Sequence, residues 1–321
     1  MCKSSEPSRA TTPSVAFPLL PLCVAQTIPA IGFGVGTSWY KCPDERKQAL
    51  RKAVSSALDA GLTHLDEAEM YANEEVTGEA LQDWLAAHPE VPRERLHITS
   101  KVMSVDHEDG IESVVRKSLR ALHAEYFDLY LVHAPFQRDG GTPFQKSLLE
   151  VWREMELLVD KGLCRAIGVS NWRVSDLRQI FDEARIKPCC NQIEAHPYLQ
   201  QPTLQAYCAE RGILLTAYAP LAPLTKLAGG PVDAPIAAAA EAHGASPAQV
   251  LLRWCLQTGM GAITTTGRPA RLEEYKGALS FELTPQEVDA ISAAGRERQR
   301  RLYWTQCSPM FNADPALETD G

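Results

Sequence analysis

An α/β fold, a single-domain (β/α)8 TIM barrel, is what the sequence predicts, and three observations predict it. Short β-rich runs alternate with helical segments along almost the whole chain. Eight strand units follow one another from Pro29 onward at roughly 30–40-residue spacing, a length suited to a strand–helix unit. The strands read as near-continuous apolar runs, as they should in a parallel sheet covered by helices. A doubly wound open sheet is the alternative, but GFGVG at 32–36 does not continue into GxGxxG, the fingerprint of such sheets. With 321 residues, 45% of them hydrophobic, the chain can bury a core of this size.

Each element has its own signal. PAIGFGV, 29–35, reads as the first barrel strand, and 43–60 as a helix with Leu50, Val54, Ala57 and Leu58 at helical spacing. Gly61 stops that helix. THLD (63–66) is the second strand and 73–87 its helix, LHITSKV (96–102) the third strand and 110–122 its helix. FDLYLVHAP (127–135) precedes an amphipathic helix over 146–161, with Leu149, Trp152, Met155 and Val159 on one side. CRAIGVSN (164–171), CCNQIEA (189–195), ILLTAYAP (213–220) and GAITTTG (261–267) are four further strand-then-turn units, with a helix over 248–257 before the last. FPLLPLCVAQTIP, ahead of the barrel, reads as a hairpin plugging its floor. Residues 1–14 read as a flexible tail, 15–321 as the barrel, and 296–321 as a basic, then aromatic, C-terminal loop.

A formal charge of −8 argues against a general nucleic-acid or anionic-membrane surface. No apolar run is long enough to span a bilayer. The nine cysteines form no CxxC pair and no zinc spacing, which suits a reducing, cytoplasmic setting. No HxH or paired-carboxylate set stands at the strand ends, so no metal site is expected.

In a (β/α)8 barrel, chemistry lies at the carboxyl ends of the strands. Here the second strand ends at Asp66, the third at Lys101, the fourth at His133 and the fifth at Ser170 and Asn171. Gln192 lies on the sixth, Tyr218 closes the seventh, and Thr264 to Thr266 close the eighth. Any one of these is an ordinary loop or core residue; their recurrence at one face is the signal. THLDEAEMY places Asp66, Glu67 and Glu69 just before Tyr71. A phenol titrates near ~10, too high for efficient proton donation at neutral pH, and a neighbouring ammonium lowers it. Asp, Tyr, Lys and His together form a proton-delivery set for reducing a C=O group, lacking only a hydride source.

THLDEAEMY, ITSKV, LYLVHAP, IGVSNW, NQIEAHPYLQQ, LLTAYAPL and RLEEYKGALSFELT together resemble the aldo-keto reductase superfamily over nearly the whole chain. TTTGRPARLEEY looks most like fungal members that reduce α-keto amides and conjugated or vicinal dicarbonyls. The resemblance implies a catalytic tetrad of Tyr71 as general acid, Lys101 as its pKa-lowering partner, Asp66 as the lysine's counter-ion and His133 orienting the carbonyl. Glu67 and Glu69 read as loop surface. The cofactor implied is NADPH, its carboxamide against Ser170, Asn171 and Gln192, its nicotinamide stacked on Tyr218 and its diphosphate near Pro220 and Leu221. Gly34 and Val35 approach the cofactor through their backbone. Thr265, Thr266, Arg268 and Arg271 stand where relatives bind the 2′-phosphate, and Glu274 and Tyr275 where they face the adenine.

Trp39, Ala134, Trp172, Trp304 and Phe311 are the expected pocket walls. Ala134 stands where many relatives have tryptophan, which should open the pocket to bulkier substrates. The expected partner is a small-molecule carbonyl, and the family habit is a monomer. An imine or enone reductase and a non-catalytic NADPH-sensing barrel are the alternatives; His133 and the intact tetrad speak against them.

Overall fold

The computed structural model describes residues 18–23, 26–139 and 142–305. The N-terminal tail, the end of the C-terminal loop and Phe311 lie outside them. The chain opens with a hairpin, β1 (Leu19–Cys23) and β2 (Gln26–Pro29), paired antiparallel. Eight parallel strands then close into a barrel: β3 (Ile31–Gly34), β4 (His64–Asp66), β5 (His97–Val102), β6 (Phe127–Val132), β7 (Cys164–Ser170), β8 (Cys190–Glu194), β9 (Leu214–Tyr218) and β10 (Met260–Thr264). Closure comes from β10 pairing with β3, with Ala262 opposite Ile31.

The helices are α1 (Asp44–Asp59), α2 (Glu74–Ala87), α3 (Gly110–Ala121), α4 (Leu148–Asp160), α5 (Val174–Phe181), α6 (Pro202–Glu210), α7 (Asp233–His243), α8 (Pro247–Gln257), α9 (Pro269–Lys276) and α10 (Pro285–Arg296). Their starts follow from local chemistry. Ser147, Ser246 and Thr284 each form a capping box with a Glu or Gln three residues on, satisfying amides that no helical carbonyl reaches. The main core lies between barrel wall and helices, and includes Trp152, Trp254 and Tyr275.

The hairpin plugs the floor as the sequence suggested. Leu22 and Ile28 pack against Leu129, Leu131, Ala166 and Cys190, residues of the barrel strands. Gln26 Nε2 also donates to the Arg165 carbonyl near the start of β7. With one mouth filled, the carboxyl ends of the strands are left to carry the polar cluster. No helix among the described residues is long and apolar enough to cross a membrane, and no metal-binding group of His, Cys, Asp and Glu occurs among them.

Candidate active site

Asp66 ends β4 and Lys101 is the penultimate residue of β5, both aimed into the barrel mouth. Lys101 is fully buried, and its ammonium has three partners: Asp66 Oδ1 at 2.7 Å, the Glu67 carbonyl at 2.9 Å and the Tyr71 oxygen at 3.3 Å. Gln192 Nε2 donates to the other Asp66 oxygen at 2.7 Å, so the carboxylate is held on both sides. A charge so buried persists only when paired and hydrogen-bonded. Because the lysine donates to the phenol oxygen, the phenol's own proton remains free to be given elsewhere.

Tyr71 reaches this site on a short 3₁₀ turn, Glu69–Tyr71, which ends at Ala72 with φ of 52°. The Tyr71 carbonyl accepts from the Lys41 amide. Gly36 makes room for the ring: a Cβ there would lie 2.8 Å from Tyr71 Cζ. Asn73 Nδ2 donates to the carbonyls of Val35 and Trp39, pinning the loop after β3 beside the turn. Sequence reasoning missed Gly36 and Asn73. The third glycine of GFGVG was a usable signal for the first; the second has none, since its role is a tertiary contact.

His133 follows β6, its ring 5.7 Å from that of Tyr71 in an edge-to-face arrangement. Burial, then the charges of Lys101 and Arg138, hold its pKa well below the usual histidine value. The imidazole is therefore neutral at pH 7, with one donor and one acceptor nitrogen.

Three expectations need correction here. Tyr71 is not held below the ordinary phenol value: burial, then the Asp66 and Glu67 carboxylates, outweigh the Lys101 ammonium and push its pKa well above that value. Asp66 answers part of the lysine's charge, which leaves burial the larger effect on the resting phenol. Glu69 is not loop surface; its carboxylate accepts from the Met103 amide at 2.9 Å and from the amide and hydroxyl of Ser104, tying the 3₁₀ turn to the end of β5. Glu67 is not loop surface either. It is fully buried, with the Thr77 hydroxyl beside its carboxylate. Burial raises its pKa well above the usual carboxylate range. The alternation of a strand explains both acids at once: with Asp66 turned inward, its neighbour turns outward, into the packing against α2 near Thr77.

A pH dependence follows from Glu67. The folded chain holds this proton above the unfolded carboxyl pKa, so stability falls as pH rises from that value toward the folded one. The slope is about 1.4 kcal/mol per pH unit within that window. Glu67→Gln is expected to remove this slope. Urea midpoints from pH 4 to 8 measure it, and the same slope in both proteins would show that Glu67 ionises freely.

The strand ends of β7, β8 and β9 are as tightly built. Ser170 Oγ and the Asn171 amide both donate to the Gln192 carbonyl. Asn171 takes a left-handed φ of 61°. Its Nδ2 donates to the His133 carbonyl at 2.9 Å, and its Oδ1 accepts from the Tyr218 hydroxyl at 2.8 Å. Ser170, Asn171, Gln192 and Tyr218 are thus one connected group, directly joined to Asp66. Gly34 and Val35 are buried beside it at the end of β3, and Pro220 and Leu221 open the loop after β9.

After β10, Thr265 Oγ1 is buried without a partner, and Thr266 Oγ1 accepts from the Arg268 amide at 3.0 Å. Arg268 and Arg271 stand exposed at the start of α9, and neither makes an ion pair among the described residues. An unsatisfied hydroxyl and two free guanidinium groups at a helix N-terminus suit a phosphate, so this loop fits a phosphorylated nucleotide. Glu274 is partly committed, accepting from Ser246 Oγ at 2.5 Å. Tyr275 belongs to the core, 1% exposed.

The expected walls divide. Trp304 does stand over the site, its ring 6.0 Å from His133 and 5.3 Å from Phe136. Trp172 is buried in the main core. Trp39 is buried beside Gly267, toward the loop after β10. Its neighbour Tyr40, which sequence reading passed over, lies with its ring 6.5 Å from that of Tyr71 and accepts from Arg138 at 2.6 Å. Ala134 is fully buried and packed with Met103 and Phe136, against which Met70 and Trp304 lie.

A closed parallel barrel with a buried acid–base cluster at the carboxyl ends of its strands defines a (β/α)8-barrel enzyme. The family within that class is settled by comparison. The model of the aldo/keto reductase family matches residues 30–296, and the chain belongs to that family. It is accordingly an NAD(P)H-dependent oxidoreductase. Aldo-keto reductase family 1 member A1 of Mus musculus is 35% identical over 91% of this chain and 92% of its own length. Glycerol 2-dehydrogenase (NADP(+)) of Hypocrea jecorina is 38% identical over 91% of this chain and 96% of its own. Among solved structures, a Bombyx mori aldo-keto reductase in complex with NADP superposes with a TM-score of 0.79 at 31% identity, covering 87% of this chain and 93% of that one.

Proposed function

We propose that this protein is an NADPH-dependent carbonyl reductase in which Tyr71 gives the proton. The observation that carries this reading is the Lys101 ammonium, which bridges Asp66 and the Tyr71 oxygen beside a neutral His133. A ketone or aldehyde oxygen placed between Tyr71 and His133 would receive hydrogen bonds from both. NADPH, when bound, supplies the hydride to the carbonyl carbon. Tyr71 then transfers its proton to the developing alkoxide, and Lys101 stabilises the phenolate left behind. The raised pKa of Tyr71 suits this direction, since it keeps the phenol protonated in the resting enzyme.

Ser170, Asn171 and Gln192 would hold the carboxamide, with Tyr218 against the nicotinamide ring. Pro220 and Leu221 would lie near the diphosphate, and Thr265, Thr266, Arg268 and Arg271 at the 2′-phosphate. Small-molecule carbonyls are the substrates, and the TTTGRPARLEEY segment points to α-keto amides and conjugated or vicinal dicarbonyls. The curated relatives include an indole-3-acetaldehyde reductase of Schizosaccharomyces pombe, 36% identical, which widens a first screen to aldehydes.

Titration of tryptophan fluorescence with NADPH and then NADH tests the cofactor half without a known substrate. NADPH is expected to bind more tightly. Arg271→Ala should weaken it by about 10–100-fold, the worth of one charge-assisted hydrogen bond, and leave NADH unchanged. Equal affinities in the parent would remove the phosphate site, and no binding of either would remove the reductase reading.

A further inference from the structure

Glu194 ends β8 and is fully buried, yet it lies outside the Asp–Tyr–Lys–His set. Its two carboxylate oxygens face the C-terminal segment. Oε1 accepts from the Leu302 amide at 2.8 Å, and Oε2 from the Tyr303 amide at 2.9 Å. His196 Nε2, also fully buried, lies 3.0 Å from Oε1 and fixes the carboxylate from behind. Two backbone N–H groups on one buried carboxylate form a charge-assisted clamp, stronger than a pair of neutral hydrogen bonds.

The residues just past the clamp decide what it holds. Trp304 turns through a left-handed φ of 59°, an unusual state for a bulky residue, and lays its ring against His133 and Phe136. Tyr303 stands edge-on to Tyr218 at 5.6 Å. Its hydroxyl accepts from Lys226 at 3.1 Å, and Lys226 belongs to the loop after β9. One carboxylate therefore fixes a short stretch that walls the carbonyl side with Trp304 and ties down the β9 loop through Tyr303.

We propose that Glu194 is a positioning residue: by clamping the amides of residues 302 and 303 it sets Trp304 over the substrate site and couples the C-terminal segment to the loop after β9. Its consequence for turnover rests on the reductase reading; the clamp itself does not. Glu194→Gln keeps the shape but turns one acceptor into a donor that faces an N–H. Hydrogen exchange of the Leu302 and Tyr303 amides, read in the full chain without cofactor, should accelerate at least about tenfold. With NADPH and a carbonyl, KM should rise about tenfold while kcat changes by less than about twofold. In a Trp304→Ala background, Glu194→Gln should add little further to KM, because the side chain it poses is gone.

Unchanged exchange overturns the clamp, whatever cofactor binds. Faster exchange with unchanged KM overturns the positioning role. An equal rise in KM with and without Trp304 would mean that Glu194 supports the barrel generally, and overturns it too. Failure to bind NADPH would fall on the reductase reading, and the exchange result would still decide the clamp.

Discussion

Tyr71→Phe is expected to lower the rate of carbonyl reduction by about 10²–10⁴-fold, the range that a positioned general acid supplies. The substitution removes only the phenolic oxygen. The ring stays between Tyr40 and His133, and Lys101 keeps Asp66 Oδ1 and the Glu67 carbonyl as partners. NADPH affinity should therefore stay within about twofold of the parent, since the phenol acts on the substrate and not on the residues assigned to the cofactor. Single-turnover NADPH oxidation gives the rate, and fluorescence titration gives the affinity. Turnover equal to the parent would remove Tyr71 from the chemistry.

Lys101→Met should damage both stability and rate. It leaves Asp66, 2% exposed, with Gln192 as its only side-chain hydrogen-bond partner among the described residues, and an uncompensated buried charge typically costs about 3–5 kcal/mol. It also removes the group that would stabilise the phenolate after proton transfer. Lys101→Met with Asp66→Asn should fold more stably than Lys101→Met alone, because the stranded carboxylate is gone, yet should stay as slow in reduction. Urea midpoints and single-turnover rates separate the two effects. If the double variant were no more stable than the single one, the Asp66 carboxylate would not be the source of the cost.

Much of this molecule was legible in the chain. All eight barrel strands and the plugging hairpin came from apolar runs and turn residues, which report burial on both faces directly. Asp66, Lys101 and His133 were legible because a polar residue at the end of an apolar strand is a local contradiction, and the barrel brings such contradictions to one face. GAITTTG was read as a strand running into a turn without a fixed boundary, and the strand ends at Thr264. Hydroxyls tolerate strand and loop alike, so no local pattern set that boundary.

What the sequence by itself determined is the closed α/β barrel and the set of groups at its mouth, since periodicity and strand-end chemistry are properties of neighbours in the chain. Only the tertiary structure decided where the remaining side chains point and what charge surrounds them. Glu67 and Glu69 look alike in THLDEAEMY, yet one is fully buried beside Thr77 and the other accepts from three donors of Met103 and Ser104, just after β5. The direction of the Tyr71 pKa, the fate of Trp39 and Trp172, and the clamp of Glu194 on Leu302 and Tyr303 depend in the same way on residues far apart in the chain. Electrostatics and packing act through distance in space, and a strand's alternation fixes a side chain's face without saying what waits there.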